Sequence, residues 1–166
     1  MRNRSLWIAG IIVASVILVI VITLALTPSN THPAFAAATA FMNAAGSGDD
    51  ATAETYLSPE LLAYVAANCP NGSVSACIAS YTPSEWGKLI KAVFRRATPD
   101  GNSAWDVDLI ATYEFGTGFS GVCSYYRVEQ ESADVWKVVA WAGFVHCGDE
   151  ASRTMATNPD TPNRAP

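Results

Sequence analysis

A chain of 166 residues holds one small domain with appendages rather than several domains. Beyond residue 27 it carries eight basic and fifteen acidic side chains, a formal charge of −7, which argues against a nucleic-acid footprint.

The first five residues contain Arg2 and Arg4 and no acid, whereas residues 6–26 contain no charge and only two hydroxyls, Ser15 and Thr23. As a helix those 21 residues measure about 31 Å at ~1.5 Å per residue, which matches a bilayer core of ~30 Å. Backbone groups in lipid must be satisfied within the segment, so a helix is the form expected. Trp7 stands where an interfacial aromatic belongs, and the next basic residue after Arg4 is Lys88. The positive-inside rule therefore puts the amino terminus in the cytoplasm. The expected organisation is a single-pass cell-membrane protein. It has a cytoplasmic stub (1–5), a transmembrane anchor in contact with the lipid bilayer (6–27), a linker (28–32), an extracytoplasmic domain (33–148) and a disordered tail (149–166). A cleaved signal peptide is the alternative; its apolar region is usually ~7–15 residues, shorter than this run, and it would deliver the domain to the same compartment. No lipobox cysteine follows the run.

Thr31 is a candidate cap for a first helix starting near Pro33, since proline suits the first turn. Phe35, Ala38, Phe41, Met42 and Ala45 form its apolar stripe, and Gly46-Ser47-Gly48 ends it. Asp49 or Asp50 caps a second helix containing Ala53, Tyr56 and Leu57, and Ser58-Pro59-Glu60 starts a third with Leu61, Leu62 and Val65. Thr82-Pro83-Ser84-Glu85 reads as a capping box, followed at helical spacing by Trp86, Leu89, Ile90, Val93 and Phe94, so a fourth helix is expected there. Its Lys88, Lys91 and Arg95 would line one side, solvated or against anionic head groups.

From Arg95 the period becomes two. Pro99-Asp100-Gly101-Asn102 turns the chain into a long strand with Trp105, Val107, Leu109, Ala111, Tyr113 and Phe115 on one face and Asp106, Asp108, Ile110, Thr112 and Glu114 on the other. After a turn over 116–121, Val122, Ser124, Tyr126 and Val128 alternate with Cys123, Tyr125, Arg127 and Glu129. A turn centred on Ser132 predicts Val128 opposite Trp136 and Tyr126 opposite Val138, with Arg127, Glu129 and Lys137 sharing a charged face.

All four cysteines, Cys69, Cys77, Cys123 and Cys147, follow the apolar run, and an even count outside the cytoplasm suggests two disulfides. Four cysteines allow three pairings. The turn Pro70-Asn71-Gly72-Ser73 favours Cys69 with Cys77, leaving Cys123 with Cys147 provided the last strand bends, for which Gly143 is the candidate. Four reduced buried cysteines are the alternative. Zinc is disfavoured for want of a second close cysteine pair or a matching histidine pair, and no metal or cofactor is expected. Asn71-Gly72-Ser73 also matches a glycosylation sequon.

Helices first and an antiparallel meander afterwards is an α+β pattern. The stretch Ala37-Ala38-Thr39-Ala40-Phe41-Met42-Asn43-Ala44-Ala45-Gly46-Ser47-Gly48-Asp49-Asp50 resembles the opening helix of nuclear transport factor 2-like domains, and Val135-Trp136-Lys137-Val138-Val139 is similar to their final strand. The resemblance covers residues 33–146 and is nearest in style to membrane-anchored or lipoprotein members of unknown function. It implies a curved antiparallel sheet wrapped on helices around a conical apolar cavity. Enzymes of that superfamily place carboxylates, histidines or tyrosines inside the cone. The alternation here puts Asp106, Asp108, Glu114 and Glu129 on the outer, solvated side and leaves Ser124, Tyr113 and Tyr126 as the inward polar groups. His146 beside Cys147 suggests a nucleophile pair, but neighbouring strand residues point to opposite faces.

Three functions are thus open. A non-enzymatic domain would bind a small apolar ligand among Trp105, Leu109, Tyr113, Ser124, Tyr126 and Trp136, or a protein partner. A structural or accessory subunit of a membrane complex, or a homodimer, would use an outward apolar set of Ile110, Tyr125, Val139 and Trp141. An isomerase, dehydratase or cyclase would need an inward acid, which the alternation does not supply.

Overall fold

The computed structural model describes residues 13, 15, 16, 32–115 and 122–147, the side chains of 144–146 excepted. The chain divides into two units after Thr31. The expected anchor lies outside the described residues apart from Val13, Ser15 and Val16, which are helical, and the expected tail and the 116–121 turn lie outside them altogether. No helix among the described residues is long and apolar enough to cross a membrane.

The domain starts with α1 (Pro33–Ser47). His32, not Thr31, is its cap: the His32 Nδ1 accepts from the Ala34 N–H at 3.2 Å, and Pro33 occupies a first-turn position where no N–H is needed. Gly48 ends the helix at φ +84°, a left-handed conformation that glycine adopts without steric cost. Asp49 caps α2 (Asp50–Glu54) by accepting from Thr52 N–H at 3.1 Å. This helix is shorter than expected, because Tyr56, Leu57 and Ser58 leave it to bond the free edge of the last strand. Val138 N–H donates to Tyr56 O at 2.8 Å and Ser58 N–H to Val138 O at 3.0 Å. Ser58 then caps α3 (Pro59–Asn68). A 3₁₀ turn over Pro70–Gly72 leads to α4 (Val74–Tyr81), capped by Ser73.

The expected fourth helix is a strand. Ser84–Trp86 makes a single 3₁₀ turn, and Gly87 at φ +72° stops it. β1 (Leu89–Asp100) follows, pairing with β2 (Ala104–Tyr113). Bulges between Leu89 and Lys91 and between Phe94 and Arg96 break the strand's alternation, so Leu89, Ile90, Val93 and Phe94 mimic helical spacing along an extended chain. β3 (Val122–Ser132) and β4 (Val135–His146) complete a curved antiparallel sheet in the order β1-β2-β3-β4.

The α+β class and the antiparallel meander agree with expectation, while the β3–β4 register does not. The turn is tighter than expected, with Ser132 opposite Val135, so Gln130, not Val128, faces Trp136, and Val128 faces Val138. A bulge at Val139 then sets Ala140 opposite Arg127 and Trp141 opposite Tyr126. Trp141 therefore points inward, 5.5 Å from the Phe41 ring, and is not part of the outer face. Glu129 does face Lys137, as the charged-face argument requires.

The main core lies between the sheet's inner face and α1, which packs against all four strands. Phe41, Leu109, Tyr126, Val138 and Trp141 are at most 2% exposed, each contributing about 1.5–3 kcal/mol by burial. A second cluster on the outer face joins Cys123, Tyr125, Ala140 and Ala142, with Ile110 and Cys147 packed against them. Both disulfides form, Cys69 with Cys77 as the intervening turn favoured and Cys123 with Cys147 as elimination left it. The second depends on the irregular pairing in which Tyr125 faces Ala142 but Cys123 faces Val145, which places the irregularity over Gly143-Phe144. Their loops, with sequence separations of 8 and 24, correspond to about 2.6 and 3.5 kcal/mol in the chain-entropy treatment.

Candidate ligand-binding cleft

Small residues at the end of α1 make room for a cleft. Ala45, Gly46 and Gly48 form one wall, Ile78 and Ala79 of α4 a second, and Thr82, Pro83 and Leu89 a third, with Tyr113 reaching in from β2. Its volume is about 690 Å³, within the ~300–1,000 Å³ of small-molecule sites. Gly46 is needed for the approach of β1, because a Cβ there would sit 2.1 Å from Leu89 Cδ2. Gly87 is needed at the turn, where a Cβ would meet Phe115 and the Glu114 carboxylate within 2.8 Å. Glu114 Oε2 in turn accepts from Lys88 N–H at 3.0 Å, which pins the chain where β1 begins.

The phenol on the cleft's lining is that of Tyr113. Burial pushes the Tyr113 hydroxyl well above its ordinary range, and a hydrogen bond with Thr82 offsets this only in part. Tyr126 is raised by burial in the same way, and its hydroxyl donates to Ser124 Oγ at 2.9 Å. Burial raises Tyr81 too, with Tyr126 and Tyr113 as further causes and the Trp141 indole beside it. All three phenols stay protonated at any physiological pH, and of the three Tyr113 is the one that lines the cleft.

The six residues expected to line one pocket are divided along the sheet. Tyr113 reaches the cleft. Leu109, Ser124 and Tyr126 are buried in the core beyond it. Trp105 and Trp136 lie at the opposite end, with ring centroids 5.2 and 4.9 Å from His32. Eight residues separate Trp105 from Tyr113 on β2, roughly 26 Å at ~3.3 Å per residue. Ile78, Ala79 and Leu89, none of them among those six, supply the apolar walls instead. One overlooked signal is Ser73, a good helix cap, followed by Val74 and Ile78 four apart, which marks α4.

The outer-face residues are also redistributed. Tyr125 is on that face as expected but only 2% exposed, while Ile110 and Val139 are half-buried. Asp106 and Asp108 are on the expected face, but they are 8% and 3% exposed rather than solvated. Asp108 binds Arg96 and, at 3.4 Å, Arg95. Arg127 joins Asp100 at 2.8 Å, Glu129 at 3.0 Å and Asp106 at 3.5 Å. Burial pushes the Asp106 carboxyl up, and Arg127 offsets this only in part. Cys147 is bound to Cys123 and holds no free thiol, and the His146 side chain lies outside the described residues. Among the described residues no three His, Cys, Asp or Glu side chains converge as metal ligands would.

No known family, curated protein or solved structure matches this chain.

Proposed function

We propose that the chain is a membrane-anchored, extracytoplasmic ligand-binding domain whose site is the cleft between α1, α4 and the start of β1. The observation that carries this reading is the cleft's lining. Aliphatic walls from Ile78, Ala79, Pro83 and Leu89 surround the hydroxyls of Thr82 and Tyr113, chemistry suited to a small apolar molecule with one hydrogen-bond acceptor. The two disulfides fit an oxidising compartment, and the uncharged run over 6–26 fits an anchor. Helices enclosed by a curved sheet also suit the nuclear transport factor 2-like cone that the opening-helix and final-strand residues resemble. Binding is favoured over catalysis because the described lining offers serine, threonine and Tyr113 hydroxyls and the side chain of Lys88 but no carboxylate or imidazole.

The test is titration of a bicyclic ketone, 1-tetralone, into the full chain in nanodiscs, followed through Trp86, whose ring lies 5.2 Å from Tyr113. Saturable quenching is expected, lost in W86F and abolished in I78W, which fills the cleft. Quenching that is non-saturable, or unchanged in I78W, overturns the reading.

A further inference from the structure

The cations of this acidic chain are not spread evenly. Four of the eight beyond residue 27, Lys88, Lys91, Arg95 and Arg96, fall within nine residues that contain no acid. Three of them lie on β1, an edge strand, and Lys88 immediately precedes it. Asp108 takes up part of the charge of Arg95 and Arg96, while Lys88 and Lys91 are exposed and have no ion pair among the described residues. Between them the same strand exposes Ile90 at 63%, Val93 at 42% and Phe94 at 40%, the large apolar side chains that a solvated strip would not carry.

We infer that this β1 strip, residues 88–96, docks on an anionic bilayer surface; the inference rests on the anchored reading above. Two observations select lipid over a partner strand. First, the strip's outward backbone is already occupied at its centre. The Asn43 side-chain amide donates to Ala92 O at 3.0 Å and accepts from Ala92 N–H at 2.8 Å, blocking the continuous ladder that strand addition needs. Second, the chain enters the domain beside the strip, since His32 contacts Phe35 and Phe35 stacks on Phe94 at 4.8 Å. Residue 27, where the expected anchor ends, is five peptide steps from His32, a tether of at most roughly 17 Å. Cations on the strip then meet anionic head groups while Ile90 and Val93 enter the interfacial layer and Phe94 stays stacked on Phe35.

Hydrogen–deuterium exchange of the full chain in nanodiscs tests this. With 30% phosphatidylglycerol, amides of 88–96 are expected to exchange at least fivefold more slowly than in pure phosphatidylcholine. That protection should vanish at 0.5 M NaCl and in the double variant K88E/K91E, whose circular dichroism spectrum should match the parent. Exchange indifferent to lipid composition overturns the inference. So does protection seen in native membranes but in no purified nanodisc, which would indicate a protein partner instead. Alkaline carbonate extraction separates the two readings. A chain that stays in the membrane without β1 protection refutes the docking alone. A chain that is released refutes the anchor, and flotation of the released chain with phosphatidylglycerol vesicles then decides the docking.

Discussion

On the inner face of the sheet, Leu109, Tyr126, Val138 and Trp141 are closed over by α1 and by one another. On the outer face, Asp106, Asp108, Cys123 and Tyr125 are as inaccessible, but their burial is shared among ion pairs, a disulfide and small residues such as Ala140 and Ala142. The inner face obeys the simple rule that apolar alternation marks the core. The outer face shows that the polar half of the same alternation identifies a side of the sheet, not a solvent exposure. A carboxylate on a strand can be removed from water if guanidinium groups meet it, and three arginines do so here.

The largest effect that can break this contrast belongs to Trp141. As a fully packed inner residue its replacement by alanine should cost about 3–5 kcal/mol. As a surface residue it would cost within about 0.5 kcal/mol. Urea unfolding of W141A in the full chain, held in detergent and followed by near-ultraviolet circular dichroism, is expected to show the larger loss. A midpoint equal to that of the parent would return Trp141 to the outer face and with it the partner surface.

How much of this was legible in the sequence differs between elements. Strand faces were readable in β2 and β3, where tight alternation survives folding, so Leu109, Ser124, Tyr126 and Asp106 fall on the sides expected. The face of Trp141 was not readable, because a bulge at Val139 has no local signature in Val138-Val139-Ala140 and reverses the side chains from Ala140 to Ala142, up to the next irregularity. β1 was misread because two bulges gave its apolar residues a helical spacing after a genuine capping-box pattern. Gly87, which ends the 3₁₀ turn at φ +72° and is a poor helix former, was the discriminating signal. The disulfides were legible through the turn at Pro70-Asn71-Gly72-Ser73 and the glycine at 143. The cleft was not, since it is framed by α4 and by the closeness of Gly46 to Leu89, a contact between residues 43 apart in the chain.

The next effect down sharpens the outer face. Arg127 is 12% exposed and serves Asp100, Asp106 and Glu129 together. Replacing it with methionine keeps the stem's apolar contacts but leaves Asp106 without its guanidinium. About 2 kcal/mol is expected, below the ~3–5 of a fully buried broken pair because Asp100 and Glu129 remain half in water. The double variant R127M/D106N should recover much of that loss. If it recovers none, the arginine acts through packing rather than charge.

The smallest effect sets an acid that the fold welcomes against one that it tolerates. Partial burial pushes the Asp50 carboxyl up, but hydrogen bonds from the hydroxyls of Ser73 and Ser75 and from Ser75 N–H outweigh it and leave the group below the ordinary 3.8. Asp50 thus ties the start of α2 to the start of α4, and it binds fewer protons folded than unfolded through that range. Its contribution is complete at neutral pH and declines as pH falls through 3.8 and below. Asp106 has the opposite sign. Its folded pKa is raised, so its ionised form opposes folding at neutral pH, and the opposition is relieved on acidification. The urea midpoint of D50N should therefore lie below the parent's at pH 7 and converge on it toward pH 3. That of D106N should lie at or above the parent's at pH 7 and lose its advantage over the same interval. Parallel curves for the two variants would mean that both carboxylates are merely solvated, and the contrast between the faces would then fail at its charged side.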